Sequence, residues 1–477
     1  MRRRVWLLSL VVHAAVACAV LHTVRFDDAF ISFRYGQNLA SGRGLVFNVG
    51  EHVWGATTFL WVLLSAIVHR VVGHDATPSM MAGIGCVAWS AQCAIVFLSL
   101  RRFRFELAGA LAAGAIALGM AESFTWVAME TNLVFDLAFG TIAAALAGRF
   151  YLSAVLAALA ILGRPDMVVP ASIALALCYA SMKARTWRPL LVSAAVLAPA
   201  YAALAHAGGI IPRSAGAKYG LVSLGAYASH ELRVVPAEIF AQIVATVPPA
   251  SAWMGAIVVW PLVVYGGIVL VRADRRLVAW PAWLVLHLVG YEIWRPLPSQ
   301  VWQLYPAIAL AIMLFLVGAV ALRDRLARYR LVRAVAFPAV FATLGAIALL
   351  RTVSFTKFEQ HSLFWFEPRD KAYGDIARLV RAGAQPGDVV AAGEVGTLAY
   401  DSDVPVHDWN GLVNDNRALV DGLAQGEPGD VRWVVGWAPG DVTYFRRSLA
   451  GHVPRLYPCI PQHKTIYVFD LHQRGPP

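Results

Sequence analysis

Apolar runs long enough to cross a bilayer recur along this chain from Val5 to Leu350. About 20 apolar residues span the hydrocarbon core as a helix, because only a helix satisfies its own backbone donors and acceptors there. The 477 residues are 59% hydrophobic and 14% charged, whereas soluble domains carry about 25% charge. The chain reads as a polytopic α-helical membrane protein. Arg2–Arg4 and the run from Val5 to Val24 imitate a signal peptide. No small-residue cleavage site precedes Asp27 and further spans follow, so the run reads as an uncleaved first helix.

Lys and Arg outnumber Asp and Glu by 28 to 14 over residues 1–353, but number 12 against 15 over 354–477. A basic excess between spans is the cytoplasmic bias of their loops, so no nucleic-acid partner is expected. Basic clusters stand at Arg2–Arg4, Arg101–Arg104, Arg149, Lys183–Arg188, Arg272–Arg276 and Arg323–Arg333. With all of them in the cytoplasm, the N-terminus is inside and Asp27 and Asp28 are outside. Return by Arg101 then requires that one of the runs 56–72 and 80–100 does not cross. The run 56–72 is short and carries His69 and Arg70, which predicts an interfacial helix. The other runs fall near 80–100, 106–121, 131–148, 151–163, 166–182, 189–206, 252–271, 277–292, 302–320 and 334–350. With the first helix they predict about 11 transmembrane helices and an outer C-terminus. The run 151–163 is short and Pro165 and Pro170 follow it, which fits a broken or re-entrant pair.

The expected division is a transmembrane domain over 1–353, with a first outer loop over 25–79, and a soluble extracytoplasmic domain over 354–477. In the tail, DKAYGDIARLVRAGA reads as a helix, DVVAA, PVHDW, VRWVVGW and KTIYVFD as strands, and Asn414–Leu423 as another helix. That alternation predicts a small α/β domain. Cys18, Cys86, Cys93 and Cys178 lie in apolar runs, and Cys459, alone in the tail, has no disulfide partner there.

Asp27 and Asp28 follow the first apolar run directly. One of them suffices to cap a helix over Ala29–Ala40. Two adjacent carboxylates also suit work on a proton and on a divalent cation. Glu130 lies on the same predicted outer face at a helix start, where the helix dipole also welcomes an acid. Asp136 lies deeper in that helix, and intramembrane acids are functional candidates by default. Outer-face cations run against the usual bias. Arg34 (with Tyr35 beside it), Arg164, Arg213, Lys218 and Arg295 either snorkel to lipid phosphates or hold the phosphate of a lipid-linked substrate, with Lys218 and Arg295 leading. The turn GEVG at 393–396 has the glycines of a phosphate loop without its lysine and reads as an ordinary strand-to-helix turn.

The stretch FDDAFISFRYGQNLASGRGLVFNVGEHVWGATTFLW resembles the first outer loop of GT-C fold glycosyltransferases, most of all the branch with the mycobacterial terminal arabinofuranosyltransferases. AMET at 128–131, GRPD at 163–166 and IIPRSAGAK at 210–218 resemble that branch's GMET, TRPE and LLPNTxxAK, in the same order. Two departures stand out: Trp54 occupies the position of an acid, and Arg213 that of an asparagine. The resemblance implies a GT-C fold enzyme of a bacterial inner membrane, with a cytoplasmic N-terminus and an extracytoplasmic C-terminal domain. It would transfer a hexosyl or pentosyl group from a polyprenyl-phosphate donor to an envelope glycan, lipid or protein, with inversion. It implies that Asp27 is the general base, in a role not separated from that of Asp28, that Asp28 and Glu130 hold a divalent metal (Mg, Mn or Ca) or orient the acceptor, and that Arg34, Tyr35, Arg164, Arg213, Lys218 and Arg295 contact the donor. The alternative is a transporter or flippase of lipid-linked sugars. Against it stand acids clustered at one rim, the absence of an internal repeat, and a folded domain on the same side.

Overall fold

The computed structural model describes residues 2–22, 26–117, 127–182, 186–219, 249–294, 301–327, 329, 364–414, 417–427, 429–437, 445–459 and 464–472. The helices are α1 (Arg2–Leu21), α2 (Asp27–Ala40), α3 (Phe59–Val72), α4 (Thr77–Arg102), α5 (Glu106–Ala117), α6 (Thr131–Leu146), α7 (Phe150–Gly163), α8 (Val168–Ser181) and α9 (Arg188–His206). They continue with α10 (Arg213–Ala217), α11 (Pro249–Ala273), α12 (Ala279–Trp294), α13 (Val301–Leu326), α14 (Phe364–Gly383), α15 (Gly396–Ser402), α16 (Arg417–Gln425) and α17 (Arg446–Leu449). The strands are β1 (Val389–Ala392), β2 (Val406–Asp408), β3 (Val431–Trp437), β4 (Arg455–Cys459) and β5 (Lys464–Asp470). Two compact units emerge: one takes 1–21, 83–199 and 218–357, the other 22–82, 200–217 and 358–477.

The first unit is helical. Among the described residues, four helical segments are long and apolar enough to cross a membrane: Thr77–Arg102, Arg188–His206, Arg275–Trp294 and Gln303–Leu326. The chain is a membrane-embedded helical protein. The expected run 334–350 lies outside the described residues. A Cβ on Gly266 would meet the Leu314 carbonyl oxygen at 1.9 Å, and one on Gly318 that of Leu262 at 2.1 Å. These two glycines let the backbones of α11 and α13 touch, as small residues do where lipid removes the hydrophobic drive for association. Between α6 and the start of α12, Phe139 stacks on Trp280 at 5.3 Å and Phe135 on Trp283 at 5.8 Å. Helix α7 ends at Gly163, and Pro165 opens a one-turn 3-10 helix that leads straight into α8. Proline suits that first-turn position because its missing N–H would be unsatisfied there anyway.

The second unit joins the first loop to the tail. Helix α3 has 14 residues, which gives it about 21 Å of length, short of the roughly 30 Å hydrocarbon core. It packs along α2, with the Ser65 hydroxyl donating to the Ser32 carbonyl at 3.3 Å. The tail's sheet runs β2-β1-β3-β5-β4. Strands β2, β1 and β3 are parallel, and β5 and β4 are antiparallel. Strand β1 (VVAA) is buried throughout, as a central parallel strand covered on both faces must be. Val389, Ala391, Leu423, Val431, Val434, Phe445, Leu449 and Phe469 form its core on one side. The edge of β2 is covered by the first loop: the Asn48 amide donates to the Val406 carbonyl and accepts from the Val406 N–H, both at 3.0 Å. One side chain thus takes the place of a neighbouring strand.

Candidate active site

The acid pair opens α2, but neither acid caps it. Phe26 is the N-cap residue, in extended conformation and without a side-chain cap bond. The expected capping role is corrected by where the carboxylate of Asp27 goes: it accepts the N–H groups of Gly396 at 3.1 Å and Thr397 at 2.8 Å. Those two donors open α15, so the GEVG turn does receive an anion, and the anion is the chain's own. Gly396 is required there, because a Cβ would stand 1.9 Å from the Asp27 carbonyl oxygen. Asp27 is 7% exposed. Successive residues on a helix point about 100° apart, so Asp28 leaves α2 in another direction, and it is half-buried.

Arg34 and Tyr35 were expected to contact the donor, and both are buried in framework bonds instead. Arg34 donates to the Phe47 carbonyl and to Gln37, and pairs with Asp403 of the tail. Arg43 joins the same carboxylate at 2.9 Å. Burial alone would raise the pKa of Asp403, but the two guanidiniums hold it below the usual carboxylate range. The Tyr35 hydroxyl donates to the Val53 carbonyl at 2.7 Å and accepts from Gly55 N–H at 2.8 Å. Trp54, which replaces a family acid, is 2% exposed, packs on Tyr35, and offers its carbonyl to the Arg213 N–H. The aromatic change therefore extends the loop's core. The Arg213 side chain is exposed.

Sequence reasoning missed Glu394, the acid within GEVG. It pairs with Arg369 of α14 at 3.4 Å. Burial, opposed by Arg369 and reinforced by Asp27 and Asp28, pushes its carboxyl up to about 7. Tyr373, one turn along α14 from Arg369, faces the same carboxyl, and its pKa is raised by burial and by Glu394 and Asp27. Asp408, at the end of β2, accepts the N–H groups of Asn410 and Leu412 at 2.7 Å each. Burial still pushes it up to about 6. The one available signal was composition: an acid between two glycines after an apolar strand. Nothing local ties it to residue 28.

The remaining candidates belong to the helical unit or lie beyond description. Glu130 is 5% exposed at the N-cap position of α6 and makes no side-chain cap bond. Arg164 is buried and grips Asp166 through two bonds, at 3.1 and 2.7 Å, with the Tyr291 hydroxyl at 2.8 Å. The Tyr291 hydroxyl in turn donates to Asp166 at 3.0 Å, closing a three-residue ring. Asp136 is buried in α6, and its Oδ1 has no hydrogen-bond partner. Lys218 is half-buried in the turn after α10, and Arg295 lies outside the described residues. Asp28 and Glu130, expected to share a metal, fall in different compact units. Among the described residues no three His, Cys, Asp or Glu side chains are grouped as a metal site. The described residues do not by themselves fit a metal.

No protein-family model matches the chain, and no curated protein matches its sequence. Its fold does match solved structures. Apo ArnT from Cupriavidus metallidurans superposes with a TM-score of 0.60 at 12% identity, over 100% of both chains. The same protein bound to undecaprenyl phosphate gives 0.58 at 13% identity over 99% of each. The oligosaccharyltransferase AglB from Archaeoglobus fulgidus, in complex with an inhibitory peptide and a dolichol-phosphate, gives 0.56 at 12% identity, over 98% of this chain and 74% of that one. The chain therefore shares the GT-C fold of these membrane proteins.

Proposed function

We propose that this protein is an integral membrane glycosyltransferase. It takes a sugar from a polyprenyl-phosphate donor and passes it to a hydroxyl of an envelope glycan, lipid or protein, with inversion. We place it in a bacterial cell membrane with about 11 spans, the N-terminus cytoplasmic and the tail outside. Two structures of the same fold hold a polyprenyl phosphate, undecaprenyl phosphate in ArnT and dolichol-phosphate in AglB. The first-loop resemblance adds the arabinofuranosyl branch and favours a pentofuranose.

The observation that carries the reading is the unequal state of the acid pair. Asp27 is closed in by two backbone donors, while Asp28 stands beside it half-buried. Asp28 is the better base: it takes the acceptor's proton as the new glycosidic bond forms. A carboxylate near pKa 4 suffices, because the hydroxyl turns acidic only late in bond formation. The sugar–phosphate bond breaks, and the departing phosphate needs positive charge more than a proton. Lys218 and Arg295 are the cations assigned to it. Arg164 is a weaker candidate because Asp166 already neutralises it. Glu130 is assigned to orienting the acceptor.

The test is transfer from labelled polyprenyl-phosphate sugars, arabinofuranosyl and hexosyl, to an envelope extract by the purified protein. Asp28→Asn abolishes transfer while the protein remains folded and still binds undecaprenyl phosphate. Transfer at the wild-type rate by Asp28→Asn would overturn the assignment. Absence of both transfer and lipid binding in the wild type would overturn the function.

A further inference from the structure

The tail's sheet has a reversal built into its winding. Strand β1 connects through α15 to β2 on one side, and β2 then connects through α16 to β3 on the other side of β1. In open α/β sheets, ligands bind outside the carboxyl ends of strands where the winding reverses. Two turns lie there. GEVG follows the carboxyl end of β1, and DWNG follows that of β2, with Ala392 opposite Asp408 in the register. They are tied together: the Asn410 amide donates to the Gly393 carbonyl at 2.8 Å, and the Trp409 indole lies against Gly393.

In many such sheets this place takes a phosphate on backbone N–H groups. Here the carboxylate of Asp27 already holds those N–H groups. What remains at the turn is hydrogen-bond acceptor capacity beside an aromatic ring. Glu394 keeps 30% of its side chain exposed, and Arg369 holds one of its oxygens. Tyr373 also hydrogen-bonds this carboxyl, while the Thr397 hydroxyl in the same turn is fully buried, so the exposed part of Glu394 is what a ligand would meet. Asn410 is exposed and Trp409 half-buried. An ionised carboxylate has about four acceptor sites, and Arg369 and Tyr373 take two of those of Glu394, which leaves acceptor capacity on its exposed side. An anion is excluded by Glu394, Asp27 and Asp28, which act on one another's charge. An apolar ligand would leave the carboxyl unsatisfied. A neutral polyol fits: its hydroxyls donate to the carboxylate, and its C–H face lies on an indole.

We propose that the GEVG and DWNG turns form an acceptor subsite for a neutral sugar ring, with Glu394 receiving its hydroxyls and Trp409 lying beneath it. This deepens the glycosyltransferase reading and rests on it: Glu394 and Trp409 orient the ring whose free hydroxyl loses its proton to Asp28. Glu394 binds and positions, and it takes no proton in the transfer.

The test uses the full-length protein in nanodiscs, without donor, and methyl arabinofuranoside and methyl mannopyranoside as probes. Binding is followed by saturation-transfer NMR and by the 19F resonance of Trp409 in 5-fluorotryptophan protein, identified through Trp409→Phe. The expected result is that at least one glycoside binds and moves the Trp409 resonance. At pH 8, where Glu394 is mostly ionised, Glu394→Gln then binds it about tenfold more weakly, the effect of losing a charged acceptor, with undecaprenyl phosphate binding unchanged. Binding that leaves the Trp409 resonance in place, binding that is equal in Glu394→Gln, or no binding of either glycoside would each overturn the proposal. If Glu394→Gln lowers the melting temperature, the wild-type Trp409 resonance decides alone. Failure of the enzyme reading shows separately, as loss of transfer and of undecaprenyl phosphate binding in the wild type.

Discussion

Replacing Asp27 with alanine separates its role from that of its neighbour. In the wild type its two oxygens accept the N–H groups of Gly396 and Thr397, and the residue is 7% exposed. Hydrogen bonds to a charged acceptor contribute about 1.5–3 kcal/mol each, and stranding a buried donor costs about 1–3 kcal/mol. Part of each loss is returned as water enters, which leaves about 3–5 kcal/mol for Asp27→Ala. Asparagine keeps one acceptor oxygen and turns its amide hydrogens toward the second N–H, so about half that loss is expected. Hydrogen exchange by mass spectrometry on peptides covering residues 393–402 reads it directly. At about 1.4 kcal/mol per tenfold, Asp27→Ala should speed exchange at residues 396 and 397 by more than about a hundredfold. Asp28→Asn should leave that exchange unaltered while stopping transfer. If Asp27→Ala exchanged at the wild-type rate, the clamp would not exist in solution. If Asp27→Asn stopped transfer with exchange intact, Asp27 would be doing chemistry and the division of labour argued above would fall.

Three further outcomes are expected. Gly396→Ala forces a Cβ to within 1.9 Å of the Asp27 carbonyl oxygen and should destabilise the tail by more than about 2 kcal/mol, seen as faster exchange in the same peptides. The His407–Glu51 pair at 3.1 Å raises the pKa of His407 through its bond to Glu51; burial alone would raise Glu51, but His407 and Asn48 together lower it. Its contribution, under about 1 kcal/mol for so exposed a pair, is therefore present between about pH 4.5 and 6.5. It fades above that window as His407 loses its proton and below it as Glu51 gains one, and a pH series of tail proteolysis should lose this dependence in His407→Gln. Finally, Asp403→Asn leaves the buried Arg34 without its counter-charge and should cost about 2 kcal/mol, whereas Arg43→Gln removes only an exposed partner and should cost under about 1 kcal/mol; equal melting shifts would refute the distinction.

What the sequence revealed was local. Apolar runs marked the helices because their signal is contained in one stretch, and the proline after Gly163 announced the break between α7 and α8. Four of the five described strands of the tail were legible as short apolar runs bounded by glycine, proline and aspartate; β4 (Arg455–Cys459) was not, because Pro458 within it argues against a strand. The acid pair stood out because two carboxylates in an aromatic setting are rarely decorative. Long-range pairing was not legible. Asp27 meets Thr397 across 370 positions, and Asn48 meets Val406 across 358. An asparagine that completes a sheet edge looks, in sequence, like any turn asparagine. Arg34 and Tyr35 read as outer-face phosphate contacts, because the tail that buries one face of α2 is encoded at the far end of the chain. Trp54 stood out as a departure from the family's acid and proved to be core.

The pairing of the first loop with the tail also orders the events of synthesis. Phe30 and Phe33 on α2 rest against Tyr400, at ring distances of 5.5 and 6.2 Å. The ribosome makes α2 early and Tyr400 late, so those faces have no native cover until most of the chain exists. Closing a loop of this length costs about 5 kcal/mol of chain entropy if the intervening residues are unstructured. Helices already assembled between the two segments would remove much of that cost, so helical assembly should come before tail docking. A nascent chain arrested before residue 396 should then expose α2 to protease and to chaperones, whatever the state of its helices. Quality control of this protein would accordingly read its last quarter through its first forty residues.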